Sequence, residues 1–163
     1  MIIDSHLHVW SDDESLYPYG EVSRPETGDR ASVELLNEHM AEAGVEKAVI
    51  VQPIHYLYDN RYVADCLARF PGRFAAVCLV DPKDPAAPDQ LEELVRGRGF
   101  GGMRLHLSRQ EDPSALAASD QDPLWRRVEE LSVCLIVLGR ATDLPALEPT
   151  IERFPDVKVV LEI

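Results

Sequence analysis

Asp4-Ser5-His6-Leu7-His8-Val9-Trp10 places two imidazoles two residues apart near the start of the chain. In an extended strand, residues two apart project to the same side, so Asp4, His6 and His8 share a face. Two neutral imidazoles side by side can bind a divalent metal and leave positions for other ligands and for water. An H-x-H also arises from histidines that are merely packed or solvated. Its place at the opening of a β-α chain, with an aspartate two residues before and a tryptophan two after, favours chemistry. Arg104 follows Gly101-Gly102-Met103, and its guanidinium fork suits a carboxylate. His106 shares the face of Arg104 and can bond a substrate carbonyl or relay a proton near neutral pH, or serve as a satisfied structural histidine. Gln52 closes another apolar run, where its amide can donate to a substrate. His55 reads as a loop residue and His39 as helix surface.

The elements that must position these residues alternate. Short apolar, β-branched runs occur at 1–9, 45–52, 74–80, 101–107, 133–138 and 157–163, several nearly continuous, as strands covered on both faces should be. Between them, Val33, Leu36, Met40 and Ala43 mark a helix ended by Gly44. Val63, Cys66, Leu67 and Phe70 mark a second, stopped by Pro71-Gly72. Leu91, Leu94 and Val95 suggest a third. Asp122-Pro123 offers an N-cap and a first-turn proline ahead of Leu124, Val128 and Leu131. Leu147, Ile151 and Phe154 mark a fifth, stopping near Pro155. Alternating β and α implies a parallel sheet, either an open doubly wound sheet or a barrel. No glycine-rich phosphate loop follows any strand, which weakens the nucleotide-binding versions of the open sheet. A (β/α)8 TIM-type barrel needs eight strands and typically about 250 residues. Six strands are expected here, so the fold class expected is an α/β barrel truncated after about six strands, with 1–163 the N-terminal part of one domain. The long irregular stretch from Ser11 to Arg30 follows the first strand, and in a barrel would lie over the catalytic face with Tyr17 and Tyr19 helping to cover a substrate.

The 163-residue chain is 45% hydrophobic and 28% charged, the balance of a globular protein. Its formal net charge of −13 disfavours nucleic acid and anionic membrane as partners. A small anionic substrate remains compatible, because one local arginine can outweigh the distant field. No apolar run approaches the roughly 20 residues needed to cross a bilayer. The N-terminus has neither a basic region nor a cleavage site, so a cytoplasmic location is expected. Cys66, Cys78 and Cys134 lack C-x-x-C spacing, and buried thiols are expected, above all for Cys78 and Cys134 in their apolar runs.

Asp4, His6, His8 and Trp10 resemble the first-strand signature of the amidohydrolase superfamily, in the branch often called amidohydrolase 2. That branch includes aminocarboxymuconate-semialdehyde decarboxylase, related aromatic acid decarboxylases and lactonases of the pyrone-dicarboxylate type. Val49-Ile50-Val51-Gln52-Pro53, Ala76 to Pro82, Gly101-Gly102-Met103-Arg104-Leu105 and Arg153 to Leu161 are similar in the family's order, over essentially the whole chain. The resemblance implies a distorted barrel with its site at the C-terminal ends of the strands. It also implies one divalent metal, zinc or manganese, on His6 and His8, joined in many members by a strand-5 histidine and by a strand-8 aspartate that often acts as base. Cys134 to Arg140 contains no histidine, which tilts toward lactonases that work without a bound metal, and no eighth strand falls within 1–163. The implied activity is a hydrolase acting on a small carboxylated substrate, a lactone or cyclic ester, with Arg104 holding the carboxylate. His6, His8 and His106 would be catalytic. A metal-dependent non-oxidative decarboxylase is the alternative on the same fold. An inactive barrel fragment, folding only in part or by association, is the alternative of another class, and homo-oligomerisation is left open.

Overall fold

The computed structural model describes every residue except Thr27, Gln110, Glu111 and Ile163. Ile163, the expected last residue of the sixth strand, therefore lies outside the described residues. The chain divides into two units. The first is Met1–Leu79 with Arg98–Phe100, and the second is Val80–Gly97 with Gly101–Ile163.

In the first unit, β1 (Ile3–Leu7), β2 (Lys47–Val51) and β3 (Phe74–Cys78) pair in parallel and in chain order. Parallel neighbours require crossovers, supplied by α1 (Val33–Ala43) and α2 (Arg61–Arg69). Ser32 caps α1, its side chain accepting from the Leu35 amide at 3.4 Å. Gly44 ends the helix at φ 69°, the left-handed conformation that glycine adopts without a Cβ penalty. Val33 and Met40 of α1, and Tyr62, Val63 and Cys66 of α2, are buried together with Ile50, Val51 and Cys78 of the strands.

In the second unit, β4 (Gly102–His106), β5 (Cys134–Leu138) and β6 (Lys158–Glu162) also pair in parallel. The helices are α3 (Ala87–Glu92), α4 (Asp122–Leu131) and α5 (Glu148–Arg153). Trp125 anchors this core, its indole N–H donating to the Leu116 carbonyl at 3.3 Å and its ring stacked on Phe154.

Four local expectations are revised. α3 passes at Glu93–Gly97 into a π-helical turn that buries no residue, so Leu94 and Val95 are only half-buried. Asp122 is the first residue of α4 rather than its cap. Its carboxylate is taken by Arg153, with Nη2 at 2.8 Å, and Gln121 occupies the cap position without a side-chain bond. In α5 the buried residue is Thr150, whose hydroxyl donates to the Ala117 carbonyl at 3.1 Å, whereas Ile151 faces out. Cys66 and Cys78 are buried free thiols, but Cys134, at the mouth of β5, is only half-buried.

Candidate functional residues: a histidine pair in the first unit, a buried arginine in the second

β1 does not run as a simple alternating strand. Its pairing with β2 steps from Asp4↔Ala48 to Leu7↔Ile50, so three residues of β1 advance against two of β2. Such a bulge re-aims side chains at a strand end. The Asp4 carboxylate folds back and accepts from the His6 amide at 3.1 Å, holding the bulged segment. His8 lies just past the last residue of the strand. The two rings nevertheless meet edge to face with centroids 5.0 Å apart, and their Nε2 atoms lie 3.4 Å apart.

The His8 Nδ1 atom lies 2.8 Å from the Val51 carbonyl oxygen at the end of β2. A carbonyl only accepts, so Nδ1 carries a proton, and in the neutral ring Nε2 then holds the lone pair. That is the orientation of a metal-binding imidazole whose other nitrogen is fixed by a backbone carbonyl. Two nitrogens each about 2.0–2.1 Å from one tetrahedral ion lie about 3.3–3.4 Å apart. The His6 and His8 nitrogens therefore fit two positions of a divalent metal. Among the described residues no group of three or more His, Cys, Asp or Glu side chains is arranged as a complete metal site.

Gln52, directly after β2, is fully buried, and its amide nitrogen donates to the carbonyls of Leu57 at 3.2 Å and Asp59 at 2.8 Å. Its donors brace the loop that leads into α2, so any contact it makes with a ligand falls to Oε1, which has no hydrogen-bond partner among the described residues. The stretch from Ser11 to Arg30 is strapped down by its tyrosines. Tyr17 donates to Asp65 at 2.5 Å, which pushes the phenol up to about 12. Tyr19 donates to the Ser11 carbonyl at 3.1 Å and stacks on Tyr56. The Tyr56 hydroxyl accepts from the Ser11 amide at 2.8 Å. A cleft of about 470 Å³ beside this stretch is lined by Asp12, Tyr17, Arg30, Glu34 and Arg69, among others. Its arginines are already paired, Arg30 with Asp12 and Arg69 with Glu34. His55 sits edge-on to Trp10 with Nδ1 3.1 Å from the Ser23 hydroxyl, and burial holds its pKa below the ordinary histidine value. His39 is on the exposed side of α1.

Arg104 and His106 belong to β4 in the second unit. Arg104 is only 7% exposed, and its Nη2 lies 2.5 Å from Oε2 of Glu162 in β6. His106 is opposite Leu138, which is opposite Glu162. Both β4 residues stand out in the sequence, whereas Glu162 does not. An acidic residue closing the run Lys158-Val159-Val160-Leu161 was the available signal, but only strand register shows which base it meets.

The amidohydrolase family pattern matches residues 3–162. The chain is 26% identical to an L-fucono-1,5-lactonase of Burkholderia ambifaria over 98% of its own length and 55% of the lactonase. Among solved structures it matches a probable 2-pyrone-4,6-dicarboxylic acid hydrolase from Acinetobacter baumannii with citric acid bound. That match has TM-score 0.82 and 25% identity, covering 98% of this chain and 57% of that one. It also matches an amidohydrolase from Burkholderia multivorans with bound zinc, with TM-score 0.72 and 21% identity, covering 99% and 57%. The chain thus spans a little over half the length of these relatives, and its fold class is α/β of the (β/α) barrel type. With the family pattern running from the first strand to the sixth, the chain belongs to the amidohydrolase family.

Proposed function

We propose that the protein is a lactonase, a hydrolase that opens small cyclic esters at the C-terminal ends of its strands. The observation that carries this reading is the histidine pair, with two Nε2 atoms 3.4 Å apart and the His8 proton held on Nδ1 by Val51. His6 and His8 would hold a divalent ion, zinc or manganese, through these nitrogens. Such an ion, when bound, polarises an ester carbonyl and acidifies water. The names of the similar proteins, a fucono-lactonase and a pyrone-dicarboxylic acid hydrolase, both describe ring-opening hydrolysis and support the lactone over other substrates.

In this reading Arg104 donates to an oxygen of the substrate and orients the ring. His106, at the end of the same strand, passes a proton to the leaving ring oxygen. Water oxygen bonds to the carbonyl carbon and gives up one proton, which makes good the one His106 passes on; the carbon–ring-oxygen bond breaks, and the product is a hydroxy acid with no change of oxidation state.

The test is acid release from δ-lactones, followed with a pH indicator in the presence of zinc or manganese. Removing a mere supporting partner of a metal ligand typically costs about 10- to 100-fold. His6→Ala and His8→Ala are therefore expected to lose at least that much, and to lose stoichiometric metal. Full turnover by the double variant, or release of carbon dioxide from an aromatic acid in place of lactone hydrolysis, would sink the lactonase reading.

A further inference from the structure

Side chains alternate across the sheet of the second unit, and register fixes which of them share a face. Arg104 is opposite Ile136, which is opposite Val160, and the next row is His106, Leu138 and Glu162. These six therefore lie on one face. Met103, Leu105, Leu135 and Val137 lie on the other and are fully buried. At β6 both faces are open, with Val160 46% and Leu161 on the opposite face 50% exposed, yet Arg104 itself is more than nine-tenths buried.

Two strand spacings, about 9.5 Å, separate β4 from β6. The Arg104 side chain therefore extends over the β5 side chains to put Nη2 2.5 Å from Glu162 Oε2. Its Nε is buried without a hydrogen-bond partner among the described residues. A buried donor left unmade on a charged group is a costly arrangement that native structures rarely keep without a use. Replacing a buried ion pair by apolar side chains is often neutral or stabilising, so packing alone does not call for this one.

The guanidinium group has two forks that can grip a carboxylate, Nε with Nη2 along its side and Nη1 with Nη2 at its end. Nη2 is common to both. Glu162 sits on that nitrogen, so it contests either fork and adds a negative charge where a second carboxylate would have to lie. Beside the paired Nη2, the donor that is buried without a partner among the described residues is Nε–H, on a pair with no net charge.

We propose that Glu162 is a specificity-determining positioning residue. It holds Arg104 by Nη2, neutralises it, and presents Nε–H to an uncharged substrate oxygen, a lactone carbonyl, ring oxygen or hydroxyl, in preference to a carboxylate. This rests on the lactonase reading and on Arg104 meeting the substrate. It replaces the carboxylate role that the guanidinium alone suggested.

The experiment has a binding arm and a turnover arm. Protein labelled with nitrogen-15 arginine gives an Arg104 Nε–H resonance, assigned by its loss in Arg104→Lys, and citrate is the anion probe. Wild type is expected to leave that resonance unmoved at millimolar citrate. Glu162→Gln is expected to bind citrate there at least tenfold more tightly, because a like charge a few ångströms away has been removed. Glu162→Asp keeps the charge and should keep the refusal. In turnover, the preference for a neutral δ-lactone over the same lactone bearing a carboxylate should fall at least tenfold in Glu162→Gln and hold in Glu162→Asp.

Wild-type protein binding citrate at Arg104 as tightly as the glutamine variant overturns the proposal. So does a wild type whose Arg104 resonance shifts with citrate, even if the glutamine variant does not fold. Absence of lactone turnover in wild type, with the binding arm as expected, discards the lactonase reading and leaves Glu162 as the group that bars carboxylates from Arg104.

Discussion

A histidine does chemistry only in a defined tautomer, and here a backbone carbonyl defines it. His8 donates from Nδ1 to Val51, a residue 43 positions away in sequence, and so turns Nε2 toward the Nε2 of His6. His55 shows the opposite use of the side chain. Burial lowers its pKa, so the folded state favours the neutral ring, packed against Trp10 and beside Ser23. A depressed histidine pKa contributes stability at pH above the ordinary value near 6.5, and that stability is lost as pH falls through the lower folded value. The Gly20 amide donates to the His55 carbonyl at 2.7 Å. Its hydrogen exchange, corrected for intrinsic rates, should therefore accelerate as pH drops from 7 to 5. His55→Gln should flatten that dependence, and an unchanged profile in the variant would refute the assignment.

The ends of an element are set by local chemistry, its faces by what it packs against. The Gly44 stop of α1 was legible because only a residue tolerant of the left-handed region closes a helix this way. A Cβ there meets no atom within 4 Å, so Gly44→Ala tests backbone strain alone. It should destabilise the protein by about 1 kcal/mol in urea titration. Ser32→Ala at the other end should cost about 1 kcal/mol by the same measurement. α5 was less legible. Ile151 has the composition of a core residue and faces solvent, while Thr150 is buried because Ala117 offers its hydroxyl an acceptor. Periodicity counts apolar residues, and it misses a polar one whose hydrogen bond is satisfied inside.

Across the whole molecule, each unit carries its own core. Trp125 is 2% exposed and sits between Leu116 and Phe154. Trp125→Ala should therefore cost about 3–5 kcal/mol by chemical denaturation, and a loss under 1 kcal/mol would mean the second unit is not packed around it. The net charge of −13 acts at the same scale. It predicts no detectable retention on immobilised DNA at physiological salt, where binding depends on cations that neutralise phosphate.

The order of strands and helices, the stop at Gly44, the H-x-H signature and the family were all determined by the sequence. Each is written in spacings of a few residues, where backbone geometry dictates the outcome. Only the tertiary structure decided that a bulge in β1 would bring the two Nε2 atoms within 3.4 Å, that Gln52 would direct its donors into a loop, and that Arg104 would meet Glu162. Those outcomes depend on register between strands remote in sequence, and a one-residue change of register turns every side chain to the opposite face.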